Sequence, residues 1–205
     1  MTTLLEFAAT VITISVSGVM SPGPLFAANV SYGIRGGWRA GLKMAYGHTI
    51  VELPLVIMLG IGAISLVTLP QFREYASILG AISLFAFAGL QIKSSLRKSS
   101  TDFASKHGPF VVGILFSALN PFFLIWWFTI GFKLILDSLI LYSTIGIGIM
   151  FAFHIWMDYA WLGTVGFLSG RGKKVLLARN YKIFMIAISV VLVYFGVAFL
   201  RQVFR

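Results

Sequence analysis

LLEFAATVITISVSGVMSPGPLFAANVSYG, residues 4–33, is an apolar run with one charge, Glu6, interrupted by Ser21-Pro22-Gly23-Pro24. A helix needs roughly 20 apolar residues to cross roughly 30 Å of hydrocarbon, and this run is long enough. Its two prolines remove backbone donors and their rings clash with the preceding turn, while Gly23 adds flexibility. The pattern predicts a membrane-spanning helix broken in its interior. Ser21 as N-cap and Pro22 at N1 are a start signal, so a second half-helix is expected to open into Leu25–Tyr32.

Further apolar segments lie at 42–69, 75–92, 109–132, 138–168 and 183–200, making six candidate spans in one transmembrane domain covering 1–205. Apolar residues make up 59% of the chain and charged ones 11%, a balance suited to lipid rather than water. The formal charge of +10 sits in short clusters between segments rather than on an amphipathic face or a tail, which argues against nucleic acid. Twelve of the sixteen basic residues fall on one side if every segment spans, in the groups Arg35 to Lys43, Lys93 to Lys106 and Arg171 to Lys182. Arg73, Lys133, Arg201 and Arg205 fall on the other. This asymmetry predicts a multi-pass protein of the cell membrane with both termini outside. Met1–Leu5 has no basic n-region, so the N-terminus is expected to be retained. With no cysteine, disulfides and thiolate metal sites are excluded, and no cofactor is called for.

The polar stretch Ser94–Gly108 separates two three-segment halves, about 1–97 and about 109–205, joined by a basic loop. An odd number of spans per half makes any repeat inverted in the membrane. A shift of 106 residues aligns His48 with His154, Glu52 with Asp158 and Gly60 with Gly166. With about seven residues of gap, Ser21-Pro22 falls on Asn120-Pro121, a second cap and N1 pair. The fold class expected is all-α, with six transmembrane helices as two inverted repeats whose first and fourth spans are broken.

His48-x3-Glu52 and His154-x3-Asp158 each place an ionisable pair on one helix face. A carboxylate at the bilayer centre costs about 2.5 to 3.5 kcal/mol, so all four should face the interior. A protonatable carboxylate beside a histidine suits proton coupling. The broken helices would turn free amide groups toward a substrate carboxylate. Alternatively the breaks are proline kinks satisfied by neighbours, and the ionisable pairs hold helices together. A third reading makes His48, Glu52, His154 and Asp158 ligands of a divalent metal. Trp126, Trp127, Trp156 and Trp161 read as packing or interfacial residues. Gly60, Gly62, Gly146, Gly148, Gly163 and Gly166 read as points of close helix approach. No nucleophile constellation is evident, which disfavours an enzyme.

Ser21-Pro22-Gly23-Pro24, then Gly33-Ile34-Arg35-Gly36-Gly37-Trp38-Arg39-Ala40-Gly41 and Gly47-His48, and Asn120-Pro121 together resemble the LysE/RhtB family of amino-acid exporters. The resemblance covers nearly the whole chain. It implies a small translocator of amino acids, driven by the proton or membrane gradient, with Pro22, Gly23, Pro24, Asn120 and Pro121 shaping the pathway. The partners so implied are a small-molecule substrate and the bilayer, with homo-oligomerisation left open. Leu25 departs from many of these exporters, which have Asn there. The wider superfamily also resembles metal exporters, which keeps a divalent cation as an alternative cargo. A non-transporting membrane subunit is the alternative of another class.

Overall fold

A computed structural model describes residues 3–21, 23–66, 70–96, 107–171 and 179–203, and among them only helices and turns occur. Helix α1 (Leu4–Val19) starts in a capping box, Glu6 N–H donating to Thr3 Oγ1 at 3.2 Å and Thr3 N–H to Glu6 Oε2 at 2.8 Å. Next come α2 (Pro24–Leu66), α3 (Pro70–Leu96), α4 (Pro109–Ala118) and α5 (Pro121–Trp126). A π-turn, Trp127–Gly131, carries α5 directly into α6 (Phe132–Tyr142), and α7 (Ile145–Gly170) and α8 (Arg179–Val203) complete the chain. Stretches within Pro24–Ser65, Phe122–Tyr142 and Ile145–Gly170 are long and apolar enough to cross a membrane.

α2 turns sharply at Gly37, whose φ of 56° and ψ of −147° suit a residue without Cβ. The α6–α7 turn repeats this geometry at Ser143, with φ 55° and ψ −155°. The fourth and fifth apolar segments therefore meet at 143–144 rather than at 133–137. Lys133, expected between segments, lies inside α6, buried and ion-paired with Asp137 one turn on. An i,i+4 pair of opposite charge compensates itself, so it need not end a helix.

The main interfaces join α2 to α7, α3 to α8 and α2 to α4. Glycines bring the first of these into backbone contact: a Cβ at Gly33 would lie 2.8 Å from Gly166 Cα, and one at Gly166 would lie 2.7 Å from the Gly37 carbonyl. Gly60, Gly146 and Gly163 also sit against neighbours, as expected. Gly62 and Gly148 have open space around their Cα atoms, so the close-approach reading fails for those two. Phe7, Val11 and Ile14 of α1 pack with Leu55, Val56 and Leu59 of α2, with Leu134–Leu136 of α6 and with Met150 of α7. This apolar plug is continuous with Trp126 and Trp127.

Candidate functional site

Beside the plug lies a cavity of about 350 Å³ whose walls include Ser21, Gly23 and Pro24 from one chain break and Asn120 from the other. His48, Glu52, His154 and Asp158 also line it, and none is more than 6% exposed. The two helix faces foreseen from the i,i+4 spacing thus converge: His48 Nε2 lies 3.3 Å from Glu52 Oε1 and 3.7 Å from Asp158 Oδ1. His154 Nε2 lies 3.1 Å from Glu52 Oε1 and 3.5 Å from Asp158 Oδ2.

The first break departs in detail from its expected form. Gly23 N–H donates to the Ser21 carbonyl at 2.8 Å, and Ala27 N–H reaches the Gly23 carbonyl at 3.1 Å. Gly23 is therefore the cap and Pro24 the first helical residue, two positions later than the Ser21 and Pro22 expected; Pro22 lies outside the described residues. The local turn at Ser21–Gly23 explains the delay, and Pro24 has no amide hydrogen to leave unpaired. At the second break Asn120 is the N-cap, its Oδ1 accepting from Phe122 N–H at 3.0 Å, with Pro121 at N1. The breaks are adjacent, since a Cβ on Gly23 would lie 3.8 Å from Asn120 Nδ2.

Residues that sequence reading missed orient the ionisable four. His48 Nδ1 lies 2.6 Å from Ser117 Oγ on α4, and Ser117 Oγ donates its single proton to the Gly113 carbonyl at 2.7 Å. The histidine must then donate from Nδ1. Its Nε2 accordingly faces the carboxylates either as a bare lone pair or carrying a second proton. His154 Nδ1 makes the corresponding contact with Ser15 Oγ of α1 at 2.8 Å. Trp127 Nε1 donates to Glu52 Oε1 at 3.1 Å, and its ring meets His154 edge-on at 5.1 Å. Trp126 donates to Ser17 Oγ at 3.3 Å, and its ring occupies space that a Cβ on Gly18 would invade. The π-turn beginning at Trp127 coincides with this cluster, as such insertions do at functional sites. Trp126 and Trp127 are packed in the apolar core, one of the two expected readings, and they also line the cavity, which the sequence reading did not give. The available signal was a tryptophan doublet five residues beyond the proline break.

Chemically, the four groups are placed so that they can take up positive charge. With both histidines neutral and both carboxylates ionised, the cluster holds two buried negative charges, its most costly state. Two protons, one proton and an ammonium, or one divalent cation would neutralise it. Among the described residues, Glu52 Oε2 is buried without a hydrogen-bond partner, and Asp158 Oδ2 has the 3.5 Å contact with His154 Nε2 but no hydrogen bond. Ligand atoms of His48, Glu52 and Asp158 all lie within 4.8 Å of one another.

An apolar helical bundle enclosing a charge-lined cavity between two helix breaks has the architecture of a membrane transporter. The family model of the LysE type translocators matches residues 16–203, and the chain belongs to that family. No curated protein and no solved structure matches it.

Proposed function

We propose that the chain is a secondary active exporter of amino acids or related small zwitterionic or cationic solutes, coupled to the proton gradient by the His48, Glu52, His154, Asp158 cluster. The observation that carries this reading is the single cavity uniting that cluster with both breaks. The ammonium of a zwitterion would replace a proton at the Glu52 and Asp158 oxygens. Its carboxylate would meet the electropositive N-terminal end of α2, beside Leu25. Because solute and proton neutralise the same buried charge, each disfavours the other, which is the requirement for antiport.

The six-span, inverted-repeat arrangement with both termini outside belongs to this proposal. Gly37 and Ser143 support it: they are related by the same 106-residue shift as the ionisable pairs and share one uncommon backbone conformation. The crossed contacts support it as well, each histidine reaching a serine on the opening helix of the other half.

Counterflow in proteoliposomes loaded with single amino acids, with and without a pH gradient, tests the function. Glu52→Gln should leave expression intact and abolish gradient-driven export; unchanged export by that variant would refute the role of Glu52. A divalent cation as cargo is the second reading, favoured by the His48, Glu52 and Asp158 geometry. It requires saturable binding that is lost in His48→Ala, and calorimetry with zinc or manganese that shows no heat in the parent protein excludes it.

A further inference from the structure

Resting on the exporter reading, we infer that the transported solute is an amino acid with a bulky apolar side chain, held against the wall formed by Leu25, Phe26, Phe116, Phe122, Trp161 and Leu162. The cavity is chemically two-sided. Its ionisable cluster gathers where α2 meets α7, and the hydrogen-bonding atoms beside it are already engaged. Ser117 Oγ holds both His48 and the Gly113 carbonyl. Asn120 Oδ1 holds Phe122 N–H, and Trp127 Nε1 holds Glu52. Ser21 and Asn120 Nδ2 sit at the breaks, beside the N-terminal end of α2 that would take the solute carboxylate, and Lys93 is exposed.

The remaining wall is mostly carbon, with the Trp161 indole N–H as its polar atom. Trp161 stacks on Phe26 with ring centroids 6.1 Å apart and planes 16° apart, giving a flat aromatic surface beside Leu162. A lysine side chain would bring a second ammonium to a cavity whose two carboxylates already face the α-ammonium and two histidines. A threonine hydroxyl would leave water for a wall whose polar atom is the Trp161 indole N–H, a donor that meets one of the hydroxyl's hydrogen bonds and not the rest. An acidic side chain would face Glu52 and Asp158 with like charge. Leucine, isoleucine, methionine or phenylalanine would bury its side chain there, and each added methylene favours binding by roughly tenfold or more.

Counterflow competition on the intact protein in proteoliposomes tests this without a variant. Leucine and phenylalanine should compete at least about tenfold more strongly than alanine, and also more strongly than threonine or lysine. Transport of threonine or lysine that leucine and phenylalanine fail to inhibit would overturn the inference while the exporter reading stood. Transport of no amino acid would overturn both. Phe122→Ser, at a half-exposed wall position, should narrow the leucine-over-threonine ratio several-fold. An unchanged ratio would remove Phe122 from the wall.

Discussion

Replacing Ser117 by alanine isolates one hydrogen bond at the centre of the site. The Ser117 hydroxyl accepts from His48 Nδ1 at 2.6 Å, and both residues are buried. The Gly113 carbonyl keeps its helical bond in the variant, so the one group stranded is the Nδ1–H of His48. A buried donor without a partner costs about 1 to 3 kcal/mol, equivalent to roughly 5- to 150-fold in a rate or equilibrium. If the ring keeps its orientation, the loss falls on stability, lowering the melting temperature by about 2–4 °C per kcal/mol. If the ring turns to rescue Nδ1, Nε2 leaves Glu52 and Asp158, and the loss falls on transport. Thermal unfolding in detergent and counterflow rates against pH read the two alternatives, and Ser117→Thr, which retains the hydroxyl, should rescue both. A variant with the parent melting temperature, rate and pH profile would show that Ser117 does not orient His48.

Gly41→Val should prevent the α2–α7 contact, because a Cβ there overlaps the Leu162 carbonyl; loss of the monodisperse peak on size exclusion, or a marked drop in melting temperature, is the expected result. Ser143→Gly should stabilise the protein by about 1 kcal/mol, since relief of about 1 to 3 kcal/mol of strain at φ 55° outweighs the roughly 0.5–1 kcal/mol entropic cost of glycine. A lowered melting temperature would contradict that. Lys133→Met should cost about 1–3 kcal/mol by leaving the part-exposed Asp137 without its partner, and the double variant Lys133→Met/Asp137→Leu should recover most of it in the same thermal assay.

The parts of the site legible in the sequence were those that a membrane makes improbable. Ionisable residues are rare inside apolar spans, so His48, Glu52, His154 and Asp158 stood out, and their i,i+4 spacing fixed which faces would meet. Prolines are equally conspicuous: the second break opens at Asn120-Pro121 as read, and the first opens two positions later than read, at Gly23-Pro24. Ser15 and Ser117 escaped because a serine in an apolar helix usually returns its hydroxyl to its own backbone, as Ser17 and Ser138 do here. The place of Trp126 and Trp127 on the cavity wall escaped because the inward turn of their indoles depends on the π-turn, which shifts the helical register and has no sequence signature. Lys133 misled for a related reason: hydropathy weighs single residues, whereas the energy of a buried charge depends on its neighbour four residues away.

The crossed serine contacts bear on how the site can work. His154 hangs from α1 and His48 from α4, while both imidazoles face the Glu52 and Asp158 carboxylates carried by α2 and α7. Any motion of α1 against α7, or of α4 against α2, must therefore either break a serine contact or carry a histidine away from its carboxylates. Both events change where protons can reside in the cluster. In the exporter reading, opening of the apolar plug and loss of a proton are thus one mechanical step, because the helix α1 that supplies Phe7, Val11 and Ile14 to the plug also supplies Ser15 to His154. Ser15→Ala should then weaken coupling more than folding. Export would persist down a solute gradient while losing its response to an imposed pH gradient, whereas an equal loss of both would assign Ser15 to packing alone.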